Sequence, residues 1–506
     1  MRIQRLYIEK IEHRPLLNGL EMLFYHNKNG SIEPNCFIGV NGSGKSQVLE
    51  TLAELFYYFD KLYGNPNNKT IVSNAPLLFE LDYTITIKNS EYLVQIKQHQ
   101  PKGKAPEILI TQNGKEIDWN VDSMHNYLPN KIIAYTSGAN ETLSFPFMDY
   151  YDEYAEYTGN RALHPQEYID KEDYEPRFYL MDYSTNIGVV ISNLLFPIRK
   201  ELKSILETIN VKGLKSFQLI IQTNNSKKIL LTEELNNWIN QLKRASTCYD
   251  YNSKTERYAF DFYLNKATKD AFIFFFKNAL SLYTALYKIE LLNNLLIERN
   301  YLREINKKRR TRKSLIRNPI VPDKDKVLYY SEIKLIHKTG KEINYLSLSD
   351  GEHQLMNVFG TILMFDFDNS LFLLDEPETH FNPKWRREFM NNLNVLAGGR
   401  YQDFFITSHS PFIVADCKRE KIYIFKRDSK NKLEVTQPIN ETYGSNFDYI
   451  LKMAFEMEST ISQKSLDEIH ELQKSSSIED IEKGLVDFGD SSEKLYMLRR
   501  IEELKK

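Results

Sequence analysis

The 506-residue sequence holds only three cysteines, has almost no net charge and contains no apolar run long enough to cross a bilayer. Each shortage excludes something. Cys36, Cys248 and Cys417 lie far apart without metal-ligand spacing, which speaks against a zinc site or a disulfide scaffold and suits a reducing cytosol. The formal charge of −2 gives no whole-molecule field for a polyanion, so a nucleic-acid surface would have to be local. The most apolar run, Ala271-Phe272-Ile273-Phe274-Phe275-Phe276, is far short of the ~20 residues of a membrane helix and is followed by Lys277; it reads as a buried helix segment. The first residues, Met1-Arg2-Ile3-Gln4-Arg5, alternate like a strand and lack a signal-peptide core. A cytoplasmic protein with no membrane partner is expected. No internal repeat and no low-complexity linker occurs.

What is present is a globular composition, 42% hydrophobic and 26% charged, in a chain long enough for two or three domains. Residues 1–147 read as strands and turns around one strong helix. Cys36-Phe37-Ile38 is a short apolar strand, Gln47 to Tyr58 has helical spacing, and Leu78–Ile87 and Tyr92–Lys97 alternate like an antiparallel layer. Residues 148–325 are dense in Tyr and Phe and poor in Gly, with helical patterns over Asn186–Leu202 and Lys266–Leu302; they read as a helical insertion. A strand-rich pattern returns over 326–455, and 456–506 reads as a helical tail.

Three motifs carry chemistry. Gly39-Val40-Asn41-Gly42-Ser43-Gly44-Lys45-Ser46 follows an apolar strand and opens a helix. Backbone N–H groups of such a loop turn toward phosphate oxygens; Lys45 would reach the terminal phosphates of ATP and Ser46 would ligate Mg2+. A plain Gly-rich turn with a solvent-facing lysine is the bland alternative, and the strand-loop-helix context disfavours it. Leu371-Phe372-Leu373-Leu374 is a continuous apolar run, as a strand buried on both faces requires, and it ends in Asp375-Glu376. Asp375 is expected beside the metal and Glu376 beside an attacking water. Asp403 to Thr407 is a further buried strand, leading to Ser408-His409. A lone histidine there is usually structural; one strand after the acidic pair, it suits a γ-phosphate sensor.

A fourth motif is Leu348-Ser349-Asp350-Gly351-Glu352. Ser349 suits a helix N-cap, and the acids fall in the first turn, where the helix dipole favours them. An ordinary capped helix would explain these residues but not Gly351, a poor helix former. Glycine there makes sense if a phosphate must approach the backbone.

Along the chain the order is the loop 39–46, Leu348 to Glu352, Leu373-Leu374-Asp375-Glu376-Pro377 and Thr407-Ser408-His409, and it resembles the ABC-type ATPase head shared by SMC, RecF and OLD proteins and by transporter subunits. The resemblance covers the two ends of the chain, about half its length. It implies an α/β P-loop head with a mixed central sheet, an antiparallel layer and, here, the large helical insertion. It also implies two heads sandwiching ATP, with Ser349 and Gly351 acting in trans, Asp375 as Walker B acid, Glu376 as catalytic base, His409 as switch histidine, and His380-Phe381-Asn382-Pro383 as the dimer-contacting D-loop. Asp350, Glu352 and Asn382 depart from the transporter pattern, and no Q-loop glutamine is identified in Tyr135–Glu141. These departures and the insertion speak against a transporter subunit.

At finer resolution the chain resembles the PtuA-type ATPases of Septu and retron anti-phage systems. The residues behind this are Asn41 to Gln47, Ala134 to Ser144, and Glu441-Thr442-Tyr443-Gly444. The resemblance implies an ATPase, slow or static in turnover, that assembles as a homodimer or higher oligomer and restrains a separate HNH nuclease. A retron reverse transcriptase and its DNA–RNA hybrid are further implied partners. An SMC/RecF-like repair ATPase acting on DNA is the alternative. After His409 there is no Glu followed by an Asp-x-Asp pair, and no His-Asn-His cluster occurs anywhere, so no nuclease centre is expected in the chain. The basic run Lys307, Lys308, Arg309, Arg310, Arg312 and Lys313 is either a solvated loop or a phosphate-backbone contact. The stretch Asp149 to Tyr154 is expected to pack or contact a partner, not to bind metal.

Overall fold

A computed structural model describes the chain except residues 27–32, 65–74, 101–103, 138–141, 169–174, 182–185, 225, 311–318, 320, 398, 430–431, 458, 460, 476 and 506, and the side chains of 186, 310 and 492. It divides into two compact units, Met1–Tyr443 and Gly444–Lys506.

The first unit opens with β1 (Arg2–Lys10), β2 (Leu20–Leu23) and β3 (Asn35–Gly39). Helix α1 (Lys45–Phe59) follows, then β4 (Leu78–Ile87), β5 (Ser90–Gln98), β6 (Glu107–Gln112), β7 (Lys115–Glu116) and β8 (Lys131–Thr136). Among the described residues, β2-β1-β4-β5-β6-β7 form an antiparallel sheet, the layer expected from the alternation of β4 and β5.

The segment expected to be a helical insertion is mixed. It runs α2 (Ser144–Leu163), β9 (Phe178–Met181), α3 (Asn186–Leu195), α4 (Lys200–Thr208), β10 (Val211–Gln222), α5 (Glu233–Ala245), β11 (Cys248–Asn252), β12 (Arg257–Tyr263), α6 (Lys266–Phe276), α7 (Ala279–Leu291) and α8 (Arg299–Arg310). The helix read over 186–202 is two helices, because Pro197 cannot continue the first. The apolar run in α6 is not wholly buried: Phe272 and Phe276 face the core, while Phe274 is 75% exposed.

Strands β13 (Leu328–His337) and β14 (Glu342–Asn344) complete a second antiparallel sheet, β11-β12-β10-β13-β14, that bridges the insertion and the returning head. Then come α9 (Asp350–Met364), β15 (Ser370–Asp375), α10 (Pro383–Ala397), β16 (Asp403–Thr407), α11 (Pro411–Ala415), β17 (Ile422–Arg427) and β18 (Leu433–Thr436).

The central sheet has the order β18-β17-β3-β16-β15-β8-β9, parallel throughout except for β17–β18. Every residue of β3, β15 and β16 is buried, as continuous apolar strands covered on both faces must be. Phe372 and Phe404 stack with centroids 4.4 Å apart, and Phe24, Phe37, Phe405 and Tyr423 form an aromatic knot beside β3. The same core brings Cys36 and Cys417 together: both thiols are free and buried, with sulfurs 3.1 Å apart. The mixed central sheet with an antiparallel layer is the expected fold class.

The second unit holds α12 (Phe447–Phe455), α13 (Gln463–Lys474), α14 (Ile478–Leu485) and α15 (Ser492–Leu504). Ile469, Ile481, Leu485, Met497 and Ile501 form its own core. It begins twelve residues before the expected tail, because α12, capped by Asn446, belongs to it.

Candidate functional site

Parallel α/β sheets bind ligands at the C-terminal ends of their strands, and three such ends meet here. At the first, β3 turns into the loop 39–46. Gly39 has φ +139, and a β-carbon there would sit 2.3 Å from the carbonyl oxygen of Phe425, so no side chain fits. A β-carbon on Gly42 would meet nothing within 4 Å, which leaves open space over the loop. The buried hydroxyl of Ser43 has no partner among the described residues. Lys45, the first residue of α1, is buried; its Nζ donates to the carbonyls of Gly39 at 2.9 Å and Val40 at 3.2 Å. Burial lowers its pKa, opposed by Glu376 and Asp375.

The second end is β15. Ser46 Oγ donates to Asp375 Oδ1 at 2.8 Å across 329 residues of sequence, and Thr407 Oγ1 donates to the same oxygen. Asp375 is buried, and its pKa is raised chiefly by desolvation. An adjacent cation would offset that cost. A serine hydroxyl and one carboxylate are what the protein supplies to Mg2+ in P-loop sites, the phosphates and waters completing the shell, so Ser46 and Asp375 fit the ion.

Glu376 is held in the left-handed region, φ +47, uncommon for a residue with a side chain. Its N–H is fixed by the carbonyl and hydroxyl of Thr407 at 3.2 and 3.1 Å. Strand order explains this: β16 lies between β3 and β15, so its end meets the ends of both. His409 follows, with Nε2 3.3 Å from Glu376 Oε1. That hydrogen bond is the main cause holding the Glu376 carboxyl below its ordinary pKa.

Ser349 caps α9 in a reciprocal box: its hydroxyl accepts from Glu352 N–H, and Glu352 accepts from Ser349 N–H at 2.8 Å. Ser349 is exposed. Gly351 has a reason within its own chain as well. It is buried, and a β-carbon there would sit 2.7 Å from the His380 carbonyl oxygen and 3.3 Å from the Trp385 ring. The close approach is therefore made by the turn 380–383 of its own chain. Gln354 reinforces it, accepting from His380 N–H at 2.9 Å, and Asn382 caps α10 through Trp385 N–H at 3.0 Å.

The basic run is corrected at one position. Arg309 is 2% exposed and turns inward to Asp149 and Asp152 at 3.6 and 3.8 Å, so it cannot meet a phosphate backbone. Asp149 is buried and Asp152 partly buried, so this acidic-aromatic stretch packs against α8. Lys307 and Lys308 are exposed, Lys308 pairing with Glu304. Arg312, Lys313 and the Arg310 side chain lie outside the described residues, as do all four residues of Gly138–Glu141. Glu441 and Thr442 serve their own fold: Glu441 accepts three backbone N–H groups, and Thr442 donates to the Cys417 carbonyl.

Sequence reading overlooked Thr407 and Glu378. Glu378 is buried and accepts from the Ser408 hydroxyl; burial pushes its carboxyl up to about 7. The signal was present, as the third acid of Asp375-Glu376-Pro377-Glu378.

Comparison with known proteins adds the following. Residues 224–415 match the family described as AAA domain, putative AbiEii toxin, Type IV TA system. That segment is less than half of the chain; it contains Ser349, Gly351, Asp375, Glu376 and His409 but not the loop 39–46. Protein ea59 of Escherichia phage lambda is 30% identical over 95 residues, 19% of this chain and 18% of that protein. The chain thus matches less than a fifth of that relative. Among solved structures, the SMC head domain from Thermotoga maritima aligns at a TM-score of 0.33 and 9% identity, covering 87% of this chain and all of that one. An SMC head bound to the C-winged helix domain of ScpA gives 0.33 and 11%, covering 87% of this chain and 98% of that one. At such scores the site rests on its own geometry.

Proposed function

We propose that the chain is an ATPase that binds ATP with Mg2+ and closes as a dimer around it. The observation that carries this is the convergence of Ser46, Asp375, Glu376 and His409 from three strand ends on the open space above the loop 39–46. Mg2+, held by Ser46 and Asp375, would neutralise phosphate charge. Lys45 leaves the carbonyls of Gly39 and Val40 for the terminal phosphates. Glu376, ionised at neutral pH, takes the proton of the attacking water as its oxygen bonds to the γ-phosphorus. The bond from that phosphorus to the β,γ-bridging oxygen breaks, giving ADP and phosphate. His409 holds Glu376 in place. Ser349, exposed at the N-terminus of α9, would cap the nucleotide of a second copy.

Glu376→Gln should keep ATP binding, lose at least ~100-fold in hydrolysis and accumulate as an ATP-dependent dimer in light scattering. Wild-type turnover in that variant would end the base assignment; a monomer with ATP bound would end the composite dimer.

The finer reading is a defence role in which closure restrains a separate HNH nuclease, supported by the PtuA-like residues and by the expected lack of a nuclease centre in this chain. Mixing the protein with an HNH nuclease encoded beside it, with and without ATP, tests this. Nicking unaffected by either addition would remove the defence role and leave the ATPase assignment intact.

A further inference from the structure

We propose that Glu378 is a positioning residue for His409: it locks the two residues that flank the histidine and thereby sets the contact between His409 and Glu376. The inference rests on the ATPase reading above. Ser408 and Ser410 bracket His409. The Ser408 hydroxyl donates to Glu378 Oε1 and accepts from Ser410 N–H at 2.9 Å, so one carboxyl oxygen holds both sides of the histidine. Ser408 N–H also donates to the Phe37 carbonyl at 3.1 Å, tying the loop to the strand that enters the phosphate loop. The Glu378 carbonyl accepts from Phe381 N–H at 3.0 Å, and the next residue back, His380, bonds to Gln354 on α9. Glu378 is therefore the node between the histidine loop, the turn 380–383 and the capped helix.

A buried carboxyl is a costly way to anchor a serine. Its second oxygen, Oε2, is buried with no partner among the described residues. In the neutral form the proton sits on Oε2, and Oε1 stays free to accept from Ser408. Glutamine reproduces this pattern, its amide oxygen accepting and its NH2 replacing the OH; alanine removes the anchor.

The test compares wild type, Glu378→Gln, Glu378→Ala, Ser408→Ala and Glu376→Gln in steady-state ATP hydrolysis across pH. Glu378→Gln should stay within ~3-fold of wild type. Glu378→Ala should lose ~10-fold or more in kcat with KM nearly unchanged, since a misplacement of about 1 Å costs that much or more. A purely structural role would not spare KM while kcat falls, nor be rescued by glutamine alone. Ser408→Ala should repeat the loss in kcat, and stands in if the alanine variant does not fold. Wild-type kcat in Glu378→Ala, a loss carried by KM instead of kcat, or a glutamine variant as defective as alanine would overturn the inference. Active Glu376→Gln would instead show that the base assignment itself is wrong.

Discussion

At the scale of single residues, the site separates groups whose chemistry is fixed by type from groups whose role depends on neighbours. Lys45, Ser46, Asp375 and Glu376 were legible because spacing and strand context alone constrain them. Gly351 was legible as an anomaly but not in its cause, since the obstructing His380 carbonyl is brought in by a turn 29 residues on. Gly351→Ala should destabilise the protein by about 1–3 kcal/mol, the usual cost of overpacking, measured by denaturant unfolding; no loss would show that the turn yields freely. Glu378 gives a pH dependence with a definite sign. Its folded pKa of about 7 lies above the ordinary carboxylate value, so its contribution is fully present below that value and fades as pH rises through 7. Glu378→Gln should therefore gain on wild type between about pH 4.5 and 7, by up to about 3 kcal/mol. A constant gap in unfolding free energy across that range would contradict it.

At the scale of elements, periodicity served strands and helices with one wet face and failed where aromatic residues fill both. Strand β4 was read with its observed ends. Strands β10 to β12 were hidden in a Tyr- and Phe-rich stretch that resembles helical texture, and β11 is exposed along its whole length, leaving no buried alternation to detect. Helix α8 shows the same limit for charge. Its basic residues look alike in sequence, yet Lys307 and Lys308 face solvent while Arg309 turns into the core. Arg309→Ala should cost about 3–5 kcal/mol, because Asp149 and Asp152 are left buried without their cation. Lys308→Ala should cost about 0–1 kcal/mol, since its partner Glu304 is exposed. Equal losses in thermal unfolding would refute the distinction.

At the scale of the molecule, two units with separate cores should unfold separately. Ile481→Ala removes a fully buried side chain from the second core and should weaken that unit by about 2–5 kcal/mol. Calorimetry should show the transition of residues 444–506 moved down and that of residues 1–443 unchanged; a joint shift would mean a single cooperative body. The first unit carries a different burden. Among the described residues, strand β3 pairs only with β16 and β17, and Asn35 is hydrogen-bonded to Asp403, 368 residues away. At ~5–20 residues per second, the loop 39–46 and its strand leave the ribosome roughly 20–70 s before either partner strand exists. During that interval the apolar residues Cys36, Phe37 and Ile38 of β3 lack their strand partners, so nascent chains of this protein are natural clients for chaperones that shield hydrophobic segments.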